Sequence, residues 1–449
     1  MPTFDLQSVI DRHKVGRLQR RILLLCLAVV TLDGIDVAMV SYIGPSLISD
    51  WHITKAQLGP VVTSGLLGLA LGSLFAGPLA DRLGRRKVIL ASLIFFGLMS
   101  AATALTSDIL WFSILRVLTG FGLGAALPNA TTLVSEYAPS QRRSQMMALT
   151  YCGMTLGGAV AGYLTNLFVQ VASWHWAMVA GGILPLVCAV LVAVALPESP
   201  KFLARQEERR SELVTLMNRV VPEQFTSDTL FTLDEPAVAA KVRVAGLVTS
   251  RYRIGTLTIW VGFVCAFFIV YLMNSWMPIL MTDVGFSLTA AATMGLLLQA
   301  GGTLGNLGIG WLMDRFGLHR TVGIAMACAA ALLVLIALAP KQGLVLGTLV
   351  FVLGMFTNTV GTGFPILSAA FYPTSIRATG TSWATGIARF GAIGGAAAGT
   401  VLVALGFNYR QVFLALLIPA AVCIIALTVK ARYAAKEAVP TAQELTRAS

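Results

Sequence analysis

Long apolar runs alternate along this chain with short polar breaks. About 20 apolar residues of helix cross a bilayer core, so runs of this length predict spanning helices. Six runs fall at 22–47, 58–80, 88–106, 109–133, 144–168 and 174–196. Six more fall at 254–281, 288–314, 321–340, 343–371, 377–404 and 409–430. The expected fold is an all-α membrane protein with twelve transmembrane helices, here called spans 1 to 12. Its two six-helix halves are 22–196 and 254–430, joined by a polar central loop, 197–253, and flanked by segments 1–21 and 431–449. Several runs are longer than 20 residues, an excess that tilt absorbs.

Composition supports that class. The chain has 449 residues, 57% hydrophobic and only 12% charged, which leaves too little charge for a soluble surface of this size. Its 43 glycines suit helices that pack closely in lipid. The first 21 residues are polar and basic, and no small-residue cleavage pattern interrupts the apolar run that follows, so no cleavable signal is expected. The six cysteines all fall inside apolar runs and match no metal-ligand or disulfide spacing. No metal and no cofactor is expected.

The formal charge of +12 could suggest nucleic acid, but its placement explains it otherwise. Arg12, Lys14, Arg17, Arg20, Arg21, Arg82, Arg85, Arg86, Lys87, Arg142, Arg143, Arg315, Arg320, Arg377, Lys430 and Arg432 lie in the segments of one side, as does the central loop. The opposite loops carry only Lys55, Lys341 and Arg410. The positive-inside rule therefore predicts both termini in the cytoplasm. The partner implied is a lipid bilayer, with no nucleic acid.

The halves repeat. Gly77-Pro78-Leu79-Ala80-Asp81-Arg82-Leu83-Gly84-Arg85-Arg86 after span 2 recurs as Gly310-Trp311-Leu312-Met313-Asp314-Arg315-Phe316-Gly317-Leu318-His319-Arg320 after span 8. Tyr137-Ala138-Pro139-Ser140-Gln141-Arg142 before span 5 recurs as Tyr372-Pro373-Thr374-Ser375-Ile376-Arg377 before span 11. Duplicated membrane halves are the hallmark of transporters that alternate access around a midplane site.

Away from the span ends, few ionisable residues interrupt the runs: Asp33, Asp36, Arg116 and Arg389. At 1.5 Å per residue, the aspartates lie ~16–20 Å from the start of span 1, Arg116 ~10 Å into span 4 and Arg389 ~18 Å into span 11. A charge at such depth costs at least ~2.5 kcal/mol and must face protein or a wet cavity. Asp33 and Asp36 are three residues apart and share a helix face. One reading is a set of buried ion pairs. The other is a proton site on Asp33 and Asp36 with an anion site on an arginine, whose planar fork suits a carboxylate. Arg389 is the expected carboxylate ligand and Arg116 the alternative. Asp36 is expected to titrate, while Asp33 shapes the site.

Tyr271, Asn274, Trp276, Gln299 and Asn358 add aromatic and amide groups suited to a flat polar ring; Tyr271 and Trp276 would equally suit an interfacial belt. Gly77, Asp81, Arg82, Gly84, Arg85 and Arg86, with Asp314, Arg315 and Arg377 from the second half, are expected to gate one end. Glu136 and Arg142 are expected to form a similar latch.

These motifs resemble the major facilitator superfamily over nearly the whole chain. Within it, Asp33-Gly34-Ile35-Asp36, the Gly77–Lys87 loop and Tyr372-Pro373-Thr374-Ser375-Ile376-Arg377-Ala378-Thr379-Gly380 resemble the aromatic acid:proton symporters. The resemblance implies a monomeric inner-membrane importer; an enzyme is not expected, since the chain shows no nucleophile–base pair or metal-ligand spacing. Such an importer would take 4-hydroxybenzoate, protocatechuate or a related hydroxylated benzoate, driven by the proton gradient. The His319-bearing copy of the loop is weaker than the first. Leu196-Pro197-Glu198-Ser199-Pro200-Lys201 is like a sugar-porter motif, which keeps a sugar or other organic-anion transporter as the alternative. A transporter that doubles as a chemoreceptor for aromatic acids is a further one.

Overall fold

The computed structural model describes residues 3–171, 173–221, 225–226, 229–232, 247, 249, 252–372 and 374–437. Twelve spans form as expected. Spans 1 to 6 are the helices Arg17–Trp51, Gly59–Leu83, Arg85–Thr103, Ile109–Tyr137, Arg143–Val171 and Trp174–Ala195. Spans 7 to 11 are Arg253–Val284, Leu288–Phe316, Leu318–Leu338, Gly343–Phe371 and Thr374–Ala404. Span 12 is made of two helices, Tyr409–Ala415 and Leu417–Glu437. Among the described residues, eleven helices are long and apolar enough to cross a membrane. Span 8 falls short only in apolarity: it is 29 residues long, and Gln299, Asn306 and several glycines dilute it.

Local chemistry sets the helix ends. The Asp108 carboxylate caps span 4 by accepting from the Leu110 and Trp111 amides, both at 3.0 Å. Asn408 and Gln411 form a reciprocal capping box at the start of span 12. The repeated loops turn on Gly84 and Gly317, with φ of 96° and 85°. Side chains rarely adopt that backbone region, so both loop copies require glycine.

The chain divides into two compact units. One comprises Met1–Ala237 and Met277–Ala300, the other Val238–Trp276 and Gly301–Ser449. The first unit therefore holds the C-terminal end of span 7 and the first part of span 8. There Lys55 pairs with Asp283. Tyr42 of span 1 donates to the Gly158 carbonyl at 3.0 Å, and its ring lies against Gly295.

Glycines bring backbones together within each unit. In the first, a Cβ on Gly68 or Gly72 of span 2 would strike the Val117 or Phe121 carbonyl of span 4. One on Gly157 of span 5 would strike the Thr31 carbonyl of span 1. In the second unit, Gly301 and Gly305 of span 8 meet the Phe351 and Met355 carbonyls of span 10 in the same way. Gly391 and Gly395 of span 11 meet Val264 and Phe268 of span 7. The duplication read from loops thus extends to the packing: Gly68 and Gly72 recur as Gly301 and Gly305, 233 residues on.

The N-terminal segment and part of the central loop form a small cap on the first unit. Thr3–Asp5 pairs in parallel with Leu230–Thr232. The short helix Leu6–Asp11 buries Leu6, Val9 and Ile10. Asp11 then accepts from the Ser140 amide and hydroxyl, each at 2.7 Å. Burial works against the Asp11 carboxylate. The Ser140 and Gln7 hydrogen bonds outweigh it, with Arg143 adding a favourable charge, and together they hold the group below its ordinary 3.8.

Candidate functional site

In the first unit, Asp33 and Asp36 are sealed in the protein at 0% and 1% exposure. Gly34 between them packs on the Met154 backbone of span 5, which fixes how span 1 presents both acids. Arg116 of span 4 reaches Asp36 as a fork. Its Nη1 donates to Oδ1 at 3.0 Å, and its Nη2 lies 2.8 Å from Oδ2. Nη2 also donates to the Asp36 carbonyl at 3.3 Å. Ser100 of span 3 adds a hydroxyl donor to Oδ1 at 2.9 Å. Room for the guanidinium comes from Gly65 of span 2, where a Cβ would stand 3.3 Å from Nη2. Four helices therefore build this pair. Burying two charges costs several kcal/mol each and is offset only by geometry of this quality.

Gln299 is also buried in the first unit, its amide pressed on Gly158 of span 5. The remaining ring-binding candidates belong to the second unit. Trp276 is fully enclosed: its indole N–H donates to the Ala396 carbonyl at 2.8 Å, and its ring covers Gly399. It is not a belt residue at an interface. Tyr271, Asn274 and Asn358 are half-buried. The Asn358 amide donates to the Gly354 carbonyl at 3.1 Å. Arg389 is half-buried on span 11, and no group among the described residues bonds or pairs with its guanidinium.

At the end of the first unit that bears the N-terminus, the loop motif forms a polar cluster. Arg85 binds Asp81 at 2.9 Å and the Ala80 carbonyl at 3.3 Å, and lies 3.5 Å from Glu136. Glu136 also accepts from the Ser199 hydroxyl. The Glu198 carboxylate accepts from the Arg86 and Ser199 amides at 3.1 and 2.8 Å. The Tyr137 hydroxyl donates to the Glu198 carbonyl at 2.5 Å, and Arg86 donates to the Ala193 carbonyl. Gly77, Arg82 and Arg142 are exposed. The expected partnership of Glu136 with Arg142 does not form, because span 4 ends at Tyr137 and the turn at Ala138-Pro139 carries Arg142 outward.

Glu198, Ser199 and Ser100 were not among the expected site residues. The Glu198-Ser199 pair had a visible signal in its motif, whereas nothing marks Ser100 among the serines of the spans.

The corresponding end of the second unit is built differently. Lys430 is 3% exposed, 3.0 Å from the His319 Nε2 and over the Phe371 ring at 4.6 Å. Exposed Arg315 stacks on Trp311 and Phe316, at 5.3 and 5.8 Å. The side chains of Asp314 and Arg377 lie outside the described residues.

Twelve spanning helices with buried opposite charges define a polytopic membrane transporter. The chain matches the Major Facilitator Superfamily over residues 26–385 and 259–448, and it belongs to that family. It is 40% identical over 429 residues to a 4-hydroxybenzoate transporter of Pseudomonas putida, covering 95% of this chain and 96% of that one. It is 38% identical to a gallate transporter of Pseudomonas putida, covering 93% and 92% of the two chains. Among solved structures, the inward-open xylose transporter of E. coli superposes with a TM-score of 0.70 at 16% identity, over 92% of this chain and 96% of that one. At that identity the likeness speaks for the fold.

Proposed function

We propose that this chain is a proton-coupled symporter that imports aromatic carboxylates across the inner membrane, working as a monomer with both termini in the cytoplasm. The lysine and arginine bias of the loops supports that orientation. The named activities of the relatives support the substrate class.

The observation that carries the residue assignment is the contrast between two intramembrane arginines. Arg116 is committed to Asp36 through both carboxylate oxygens. Arg389 has no partner among the described residues, so its fork is free for a substrate carboxylate. A monoanion entering alone works against an inside-negative potential, at about 2.3 kcal/mol per 100 mV. A proton taken up on the Asp33–Asp36 pair cancels that term. Protonating Asp36 would also release the Arg116 fork, which links proton loading to helix packing around span 1. The proton gradient is the sole energy source, with no cofactor. The Asp81, Arg85, Glu136 and Glu198 cluster fits a latch that holds one end of the first unit during the cycle.

The test is uptake of radiolabelled 4-hydroxybenzoate into intact cells, with hydroxylated benzoates as competitors. The expected result is accumulation above the outside concentration that a protonophore abolishes. Asp36→Asn is expected to exchange substrate without accumulating it. Normal uphill accumulation by that variant would refute the proton role.

A further inference from the structure

One face of span 7 carries a row of aromatic rings at a spacing of four residues: Phe263, Phe267 and Tyr271. Phe263 is enclosed and stacks on Phe364 of span 10, with centroids 5.3 Å apart. It meets Phe267 edge-on at 4.6 Å, and Phe267 meets Tyr271 at 5.6 Å with the planes tilted by 44°. Accessibility opens along the row, since Phe267 and Tyr271 are half-buried.

The open part of the row is flanked by span 10. Opposite it, span 10 presents Gly361. A Cβ there would lie 3.8 Å from the Phe267 ring and 3.9 Å from Val270, with nothing else within 4 Å. The missing side chain leaves a slot beside an aromatic edge. One turn earlier on span 10, Asn358 spends its N–H on the Gly354 carbonyl. No donor among the described residues reaches its Oδ1.

Arg389 sits below this slot. Spans 7 and 11 run parallel, with Gly391 on Val264 and Gly395 on Phe268. The Arg389 backbone is thus about 7 Å from the level of Phe267 along the helix axes, by helix rise. In order along the unit come a guanidinium, an aromatic slot and an amide oxygen.

We propose that Phe267 and Tyr271, across from Gly361, form the surface that receives the substrate ring, and that Asn358 Oδ1 accepts its ring hydroxyl. This inference rests on the aromatic-acid reading and adds the residues that discriminate among such acids. Aromatic rings prefer offset or edge-on contact with other rings, worth about 0.5–1.5 kcal/mol beyond area burial. A phenol O–H donates to an amide oxygen, and benzoate has no such donor.

The full-length protein in proteoliposomes provides the test. Unlabelled 4-hydroxybenzoate, benzoate and cyclohexanecarboxylate compete with labelled 4-hydroxybenzoate. Preferences are taken as ratios within each variant, so the amount of folded protein cancels. The wild-type chain is expected to prefer benzoate over its saturated analogue, and 4-hydroxybenzoate over benzoate. Phe267→Leu should lower the first preference by about 2- to 10-fold and leave the second. Asn358→Leu should lower the second by a similar ~2- to 10-fold and leave the first. Unchanged ratios in both variants would overturn the proposal while leaving aromatic-acid transport intact. A wild-type chain that binds none of the aromatic acids would instead overturn the function reading, and the slot with it.

Discussion

The spanning cores of the two units share a packing plan and differ in chemistry. The glycine contacts align Val117 with Phe351 and, through Gly157 and Gly391, Thr31 with Val264, both within a residue of the loop offset. In that register, Arg116 corresponds to Val350, Asp36 to Ile269 and Asp33 to Ala266. All three residues of the second unit are buried and apolar. One unit places a forked ion pair where the other places hydrocarbon. The same packing plan forms in the second unit without them. This is the known behaviour of buried ion pairs, which well-packed apolar groups replace at little cost. Charges present in only one copy accord with the proton site proposed for them.

The ends of the units differ in the same sense. Glu136 of the first corresponds to Phe371 of the second, and Arg86 to His319. The first end is held by carboxylates, the second by a lysine over an aromatic ring.

The largest effect should come from making the first core like the second. Arg116→Leu alone strands the Asp36 carboxylate and should cost ~3–5 kcal/mol. Adding Asp36→Leu should restore most of that loss, while accumulation stays abolished. Thermal unfolding in detergent and uptake, measured side by side, check both. A double variant as unstable as the single would show that the pair is structural after all.

Arg389 should behave oppositely. Arg389→Ala should leave thermal stability near wild type and weaken substrate binding by about 10- to 100-fold, the worth of a charged hydrogen-bonded contact. Equilibrium binding of labelled substrate to purified protein measures it.

The loop glycines give a smaller contrast. Gly317→Ala meets open space and should cost only the strain of its backbone angles, about 1–3 kcal/mol. Gly84→Ala carries the same strain and also drives its Cβ into the Glu198 carboxylate, so its loss of melting temperature should be larger.

The smallest effect concerns the cap on the first unit, which has no counterpart described in the second. Asp11 is held below 3.8, so its contribution is present above that value and fades as pH falls through the lowered folded value. Hydrogen-exchange protection of residues 3–11, taken relative to the intrinsic amide rate at each pH, should be high near neutrality and should fall in acid. Asp11→Asn should remove that dependence.

Much of this was legible in the chain. Run lengths of about 20 apolar residues leave a membrane helix little alternative, because an unpaired backbone cannot sit in lipid. The repeated Gly-x-Leu-x-Asp-Arg stretches exposed the duplication, and four ionisable residues stood out against an apolar background. What could not be read was partnership. Glu136 and Arg142 are close in sequence, yet one turn at Ala138-Pro139 separates them and gives Glu136 to Arg85 and Ser199. Trp276 looked equally suited to a ring site or a membrane interface. Only the approach of Gly399 shows that it fills a helix contact.

The class, the number of spans, the repeat and the short list of charges follow from composition and spacing along one dimension. Helix packing in three dimensions sets which arginine Asp36 holds, brings Ser100 to complete the grip and leaves Arg389 over. Those outcomes depend on which helices meet, and that is set by glycines such as Gly65, Gly157 and Gly395, whose importance lies in the side chains they lack.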